Sequence, residues 1–251
     1  MSAVGEPIEL AFVDGGGDRS IAVLSLDAPP LNLFTVAMRD RLVECLTAVS
    51  DVPGVGAAVL RSTSPSFSAG ADLSEFGTAA SVLDARRIRW DRDPWTLLWE
   101  LQVPTVAAVR GYALGSGLEM AMLCDIRIAS LDAQLGVPET KLGMLPAAGG
   151  TQSIARALGP ARALPFVLMG EVIDATDSRA LGLVHDVVDD PDARAMAIAR
   201  RWAALPADLT AAACRLTRAA SSLPLATGLA LERRLATLIG SPSQLLEGTT
   251  H

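Results

Sequence analysis

Two glutamates stand out in this chain of 251 residues. Glu119 lies in Leu118-Glu119-Met120-Ala121-Met122-Leu123, a run with no other polar side chain. Burying a carboxylate is costly unless something offsets it. Such a residue can be a first-turn glutamate stabilised by the helix dipole. It can also be an acid or base held in an apolar site, and a helix apolar all round favours that reading. Glu139 follows Pro138. Proline then glutamate is a common helix start, so this position reads equally as a helix opening or as a second functional carboxylate. Two carboxylates converging on one pocket can divide acid and base roles if their surroundings separate their pKa values.

The turn before Glu119 adds a partner for them. Gly111-Tyr112-Ala113-Leu114-Gly115-Ser116-Gly117 leads from an apolar strand into a helix start. Amides at a helix N-terminus are unpaired and carry partial positive charge. They suit negative charge developing on a carbonyl oxygen. A dinucleotide fingerprint is the rival reading, but Met120 stands where the third glycine would be. The run Asp14-Gly15-Gly16-Gly17-Asp18 precedes no Lys-Ser/Thr pair, so it reads as a hairpin turn rather than a phosphate loop.

The elements that must hold these residues alternate. Strands are expected at 8–13, 21–26, 55–60, 103–109, 126–129 and 184–188. A helix capped by Thr35 or Asn32 runs to about Ser50. Residues 64–72 form a loop of small side chains, 74–101 an irregular helix interrupted at Pro94, and 111–117 a turn. Helices follow at 118–123, 149–158 and 161–169, and the chain after 191 is helical throughout. This alternation predicts an α/β layered core. The Ala- and Leu-rich tail needs a partner surface, which predicts an oligomer.

Composition excludes several classes. With 21 basic and 28 acidic residues the formal charge is −7, and no block of positive charge exists, which argues against nucleic acid as a partner. Half the residues are hydrophobic and 20% are charged, which excludes general disorder. The most apolar region, 103–129, is broken by Arg110, Glu119, Asp125 and Arg127, so no membrane span of about 18 apolar residues forms. Glu6, Glu9 and Asp14 replace the basic start of a signal peptide. Cys45, Cys124 and Cys214 are odd in number and far apart, and only two histidines exist. A reducing, cytoplasmic location with no metal site is expected. Lys141 is the sole lysine, so phosphate contacts fall to arginine or backbone N–H groups.

Phe67-Ser68-Ala69-Gly70-Ala71-Asp72-Leu73, then 111–125, then 138–152 closely resemble the crotonase, or enoyl-CoA hydratase/isomerase, superfamily. The resemblance continues through 168–175 and 180–184 and covers roughly residues 8 to 248. It implies an α/β fold: a spiral of ββα repeats over 1–190, with a C-terminal helical trimerisation region over 191–251. It implies acyl-CoA substrates, with coenzyme A part of the substrate and no separate cofactor, and a homotrimer or dimer of trimers. Matched residue by residue, the oxyanion-hole amides fall on Ala71 and Ser116, and the catalytic glutamates on Glu119 and Glu139. Ala69, Gly70, Asp72, Leu73 and Gly115 fall on the CoA-binding stretch. Trp90, Leu97, Leu145 and Pro146 fall on the acyl pocket.

The chain departs from the pattern in three places. Ser116 replaces a usual glycine, but still supplies its N–H if its φ is negative. Pro30 stands where a basic residue is common. The aromatic and basic terminal segment of family hydratases would begin at 244–251, and Arg86 or Arg87 could substitute for it. Asp72 is expected to cap the following turn, and His185 to be a hydrogen-bonded structural residue. The expected activity is hydration of a 2-enoyl-CoA. The alternatives are double-bond isomerisation on the same fold and a non-catalytic acyl-CoA-binding subunit.

Overall fold

The computed structural model describes residues 6–90 and 93–239, the side chains of 87–90 excepted. Strands β1 (Ile8–Asp14) and β2 (Ser20–Leu26) pair antiparallel across the glycine-rich turn, where Asp14 accepts from Gly16 N at 2.8 Å. Helix α1 (Val36–Asp51) is capped by Thr35, whose hydroxyl accepts from Met38 N. Strand β3 (Val55–Ser62) follows, then a 3-10 turn at Leu73–Glu75, α2 (Val82–Trp90) and α3 (Pro94–Glu100). Asp72 caps the 3-10 turn, as expected. Pro94 opens α3 rather than interrupting a longer helix, because a missing N–H costs nothing at that position.

The next segments repeat one pattern. β4 (Thr105–Val109), β5 (Tyr112–Leu114) and α4 (Ser116–Leu123) form one ββα turn. β6 (Ile126–Ser130) and β7 (Gln134–Gly136) begin another, which passes through a 3-10 turn at Pro138–Leu142 to α5 (Gly150–Leu158). Then come α6 (Pro160–Met169), β8 (Val172–Asp174), α7 (Ala175–Leu181) and β9 (Asp186–Val188). Helices α8 (Pro191–Ala203), α9 (Ala207–Ala219) and α10 (Leu225–Leu238) complete the described chain.

A six-stranded sheet runs β1-β2-β3-β4-β6-β9, parallel after the first pair, and a three-stranded sheet runs β5-β7-β8. Each ββα turn therefore gives one strand to each sheet before its helix. The large sheet is buried on both faces. Ile21, Val23, Val59, Val106 and Ile128 meet Ala195, Ala199 and Ala203 of α8, a small-residue stripe that lets the helix lie close. Leu24, Leu60 and Ala107, on the other face, join α1, α3 and α4 in the main core. Among the described residues, no helix is long and apolar enough to cross a membrane.

The expected turn at 111–117 contains β5, and β7, β8 and α7 join the expected elements. Three-residue strands carry too few side chains to show a period, and tertiary pairing alone defines them.

Candidate active site

Ser68 and Ala113 form an isolated parallel bridge: Ser68 N donates to Tyr112 O and Leu114 N to Ser68 O, both at 2.9 Å. Ala71 and Ser116 each lie three residues beyond this bridge, so one register places both. Ala71 is framed by Phe34 N donating to Gly70 O at 2.8 Å and Asp72 N donating to Phe34 O at 3.3 Å. Ser116 opens α4, where an amide has no carbonyl one turn back. Neither amide donates to an acceptor among the described residues. Both residues line one cleft of about 1240 Å³.

Glu119 reaches the same cleft from the first turn of α4 and is 1% exposed. Its Oε1 accepts from Ala148 N at 2.9 Å and from Gly150 N at 2.8 Å. Two backbone donors suit a carboxylate anion and fix its rotamer. They come from the small residues leading into α5. Glu139 arrives from the 3-10 turn after β7, half-buried, with Oε2 enclosed and without a hydrogen-bond partner. Burial pushes its carboxyl above the usual range, only partly opposed by a hydrogen bond to its own backbone. A methyl built on Gly115 would stand 2.8 Å from Glu139 Oε1, so this carboxyl lies against the turn that presents the Ser116 amide. Only glycine admits that approach, and its φ of +51° is also one that glycine tolerates.

The two glutamates thus share a cleft but not an environment. Ala69, Gly70, Asp72, Leu73, Gly115 and Leu145 also line it. Leu97 and Pro146 are not among the residues lining the cleft. Leu97 packs against the main core, because its side of α3 faces inward. Pro146 is buried beneath the cleft surface, within 3.1 Å of where a Gly150 methyl would lie. The Trp90 side chain, the Arg87 side chain and the segment 244–251 fall outside the described residues. Trp95 and Trp99 do line the cleft. Trp95 packs edge-on to Phe34 at 5.7 Å, with the Arg39 guanidinium 5.2 Å from its ring centre.

Sequence reasoning missed Asn32. It caps no helix. It is fully buried with φ +48°, and its Nδ2 donates to Ser62 Oγ, Ser66 O and Phe67 O at 2.8, 2.9 and 3.1 Å. No local pattern marks such a role, since the partners of its Nδ2 lie 30 to 35 positions away. The structure keeps His185 structural, with Nδ1 accepting from Arg127 N at 3.1 Å.

Two unpaired amides beside two differently housed carboxylates make a site for acid–base chemistry next to a carbonyl. The sequence-family model for enoyl-CoA hydratase/isomerase matches residues 16–251. The 2,3-dehydroadipyl-CoA hydratase of Escherichia coli (strain K12) is 36% identical over 236 residues, covering 92% of this chain and 91% of the relative. The enoyl-CoA hydratase from Bacillus anthracis has a TM-score of 0.86 at 28% identity, covering 95% of this chain and 93% of that one. A Thermobifida fusca YX structure in complex with CoA has a TM-score of 0.83 at 29% identity, covering 98% and 95%. The chain belongs to the enoyl-CoA hydratase/isomerase family. It is an enzyme with the crotonase fold, and the relatives that it matches are named as hydratases of CoA thioesters.

Proposed function

We propose that this enzyme adds water across the C2=C3 bond of a 2-enoyl-CoA, with the Ala71 and Ser116 amides as its oxyanion hole. The thioester oxygen accepts both N–H bonds, which draws charge out of the conjugated alkene and stabilises the enolate. Losing one such donor typically costs about 10²–10³ in rate. Glu119, positioned by two backbone amides, takes a proton from water while that oxygen attacks C3. Glu139 gives its proton to C2 as the enolate collapses. Transfer of a proton from Glu119 back to Glu139 through solvent resets the pair.

The observation that carries this reading is the asymmetry of the carboxylates. One has two backbone donors, and the other is enclosed with an unpartnered oxygen and a raised pKa. That division fits an acid and a base acting in one addition. Moving a double bond needs only a single proton shuttle. No cofactor enters this chemistry, because coenzyme A arrives with the substrate.

The test is product identification with a panel of enoyl-CoA thioesters. A 3-hydroxyacyl-CoA is expected, and a shifted double bond would instead make the enzyme an isomerase. Glu119→Gln and Glu139→Gln should each keep the fold and lower hydration at least about 10²-fold. Near-normal hydration by either variant removes that residue from the mechanism.

A further inference from the structure

We infer that Ser68 is the positioning residue of the oxyanion hole, its hydroxyl steadying the chain before Ala71 and its backbone the chain before Ser116. This rests on the hydratase reading above. Ser68 is fully buried, where a hydroxyl is costly unless both its donor and its acceptor capacity are used. Both are used. Its Oγ donates to Asn32 O at 2.7 Å and accepts from Gly70 N at 3.2 Å. The second bond holds the Ala69–Gly70 peptide, one before the peptide that carries the Ala71 amide, at a residue whose φ is +102°. Glycine is permissive in that backbone region, so the bonds on its two sides set where the next amide points: Ser68 Oγ on Gly70 N, and Phe34 N on Gly70 O.

The backbone of Ser68 serves the other amide. Through its bridge to Ala113 it sets the end of β5, from which Gly115 and Ser116 follow directly. The start of α4 then lies on it. A methyl on Gly117 would overlap the Ser68 carbonyl oxygen and stand 2.8 Å from Ser68 Cβ. One residue therefore touches the chain before each amide.

Behind Ser68 stands Asn32, whose own carbonyl receives the hydroxyl. Its Oδ1 accepts from Ala28 N at 2.7 Å and Ser64 Oγ at 3.2 Å. With its three donor contacts, Asn32 ties together the loop between β3 and Ala71. The acceptor for Ser68 is thus a fixed point, not a mobile loop carbonyl. Ser68 touches no substrate in this scheme and acts through the two amides.

The variant Ser68→Ala removes both hydroxyl bonds and adds no bulk. Expected are a melting curve still cooperative, KM within about twofold, and kcat lowered about tenfold. That loss is smaller than deleting an oxyanion donor, because both amides remain and only the Ala71 amide is less well aimed. The decisive readout is spectroscopic. An aryl-conjugated enoyl-CoA absorbs at longer wavelength when its carbonyl is polarised, and Ser68→Ala should bind it with a clearly smaller red shift. Ser68→Cys, which keeps a weak donor and acceptor in similar volume, should recover part of both kcat and the shift. Should Ser68→Ala fold poorly, the cysteine variant carries the comparison alone. Wild-type kcat with a full red shift in Ser68→Ala, or in Ser68→Cys used alone, overturns the inference. A wild-type enzyme that binds the probe and red-shifts it but fails to hydrate any enoyl-CoA overturns the hydratase reading while leaving the positioning role measurable by the shift.

Discussion

At the residue scale, Glu139 shows what a raised pKa does to both rate and stability. Its carboxyl is penalised by burial, so its folded-state pKa exceeds the unfolded value near 4.5. Between those two values the folded protein binds more protons than the unfolded one. Stability therefore falls as pH rises from the unfolded pKa to the folded one, and stays at the reduced level above it. Glu139→Gln removes that penalty. It should melt at or above the wild-type temperature at neutral pH, with the gain fading as pH drops below about 4.5. Melting temperatures of both proteins across pH 3.5 to 8 check this, and a Gln variant less stable at neutral pH would contradict it. In the proposed mechanism the same proton should set the alkaline limb of kcat/KM, since an acid must be protonated to act. Glu119 stands out in the sequence because charge is rare in apolar runs, whereas Glu139 reads equally as a helix opening and is singled out by the family resemblance. Asn32 and Ser68 are not legible there, because a buried polar hub is recognised only from the distant carbonyls it meets.

At the element scale, one link joins the helical end of the described chain to the site. Arg218 of α9 holds Asp125 through Nη2 at 2.6 Å and Nε at 2.9 Å, and donates to the carbonyls of Trp99 and Leu101. Asp125 in turn accepts from Thr105 N at 2.7 Å, which ties α9 to β4 and the end of α3. The guanidinium also lies 5.8 Å from the Trp99 ring centre. With 12% and 25% of the side chains exposed, this pair is largely desolvated, and removing one partner strands the other. Arg218→Met should cost about 2–3 kcal/mol in chemical denaturation, through the stranded carboxylate and unpaired carbonyls. A loss under about 0.5 kcal/mol, the range of an exposed pair, would mean that α9 docks by its apolar contacts instead. No sequence pattern announces this link, as its partners lie more than 90 positions apart. The long apolar strands and α1 announce themselves, since each repeats its pattern over seven residues or more. β5 and β7 do not, although they aim Ser116 and Glu139.

At the scale of the whole molecule, the helical end of the described chain divides. The sequence break near 190 suggests a separate tail, yet α8 lies on the large sheet with its alanine stripe fully or nearly fully buried. α10 is different: none of its 14 residues is buried, and Leu225, Leu229 and Leu238 are 79%, 42% and 71% exposed. On α6, Leu164, Leu168 and Met169 are similarly bare. A monomer exposes scattered apolar residues without cost to its logic, but an entire helix that buries nothing is hard to hold in place by its own propensity. Covering it with another copy of the chain would supply the missing burial. Light scattering should therefore give a mass that is a multiple of 26.1 kDa. Leu225 and Leu229 are one turn apart on one side of α10, so Leu225→Glu with Leu229→Glu places two charges in any contact made there. That double variant should shift the mass toward a single chain. Its ββα core should keep its circular dichroism, because neither leucine belongs to the main core. A wild-type mass of one chain at every concentration tested would leave α10 to be held by contacts within its own subunit.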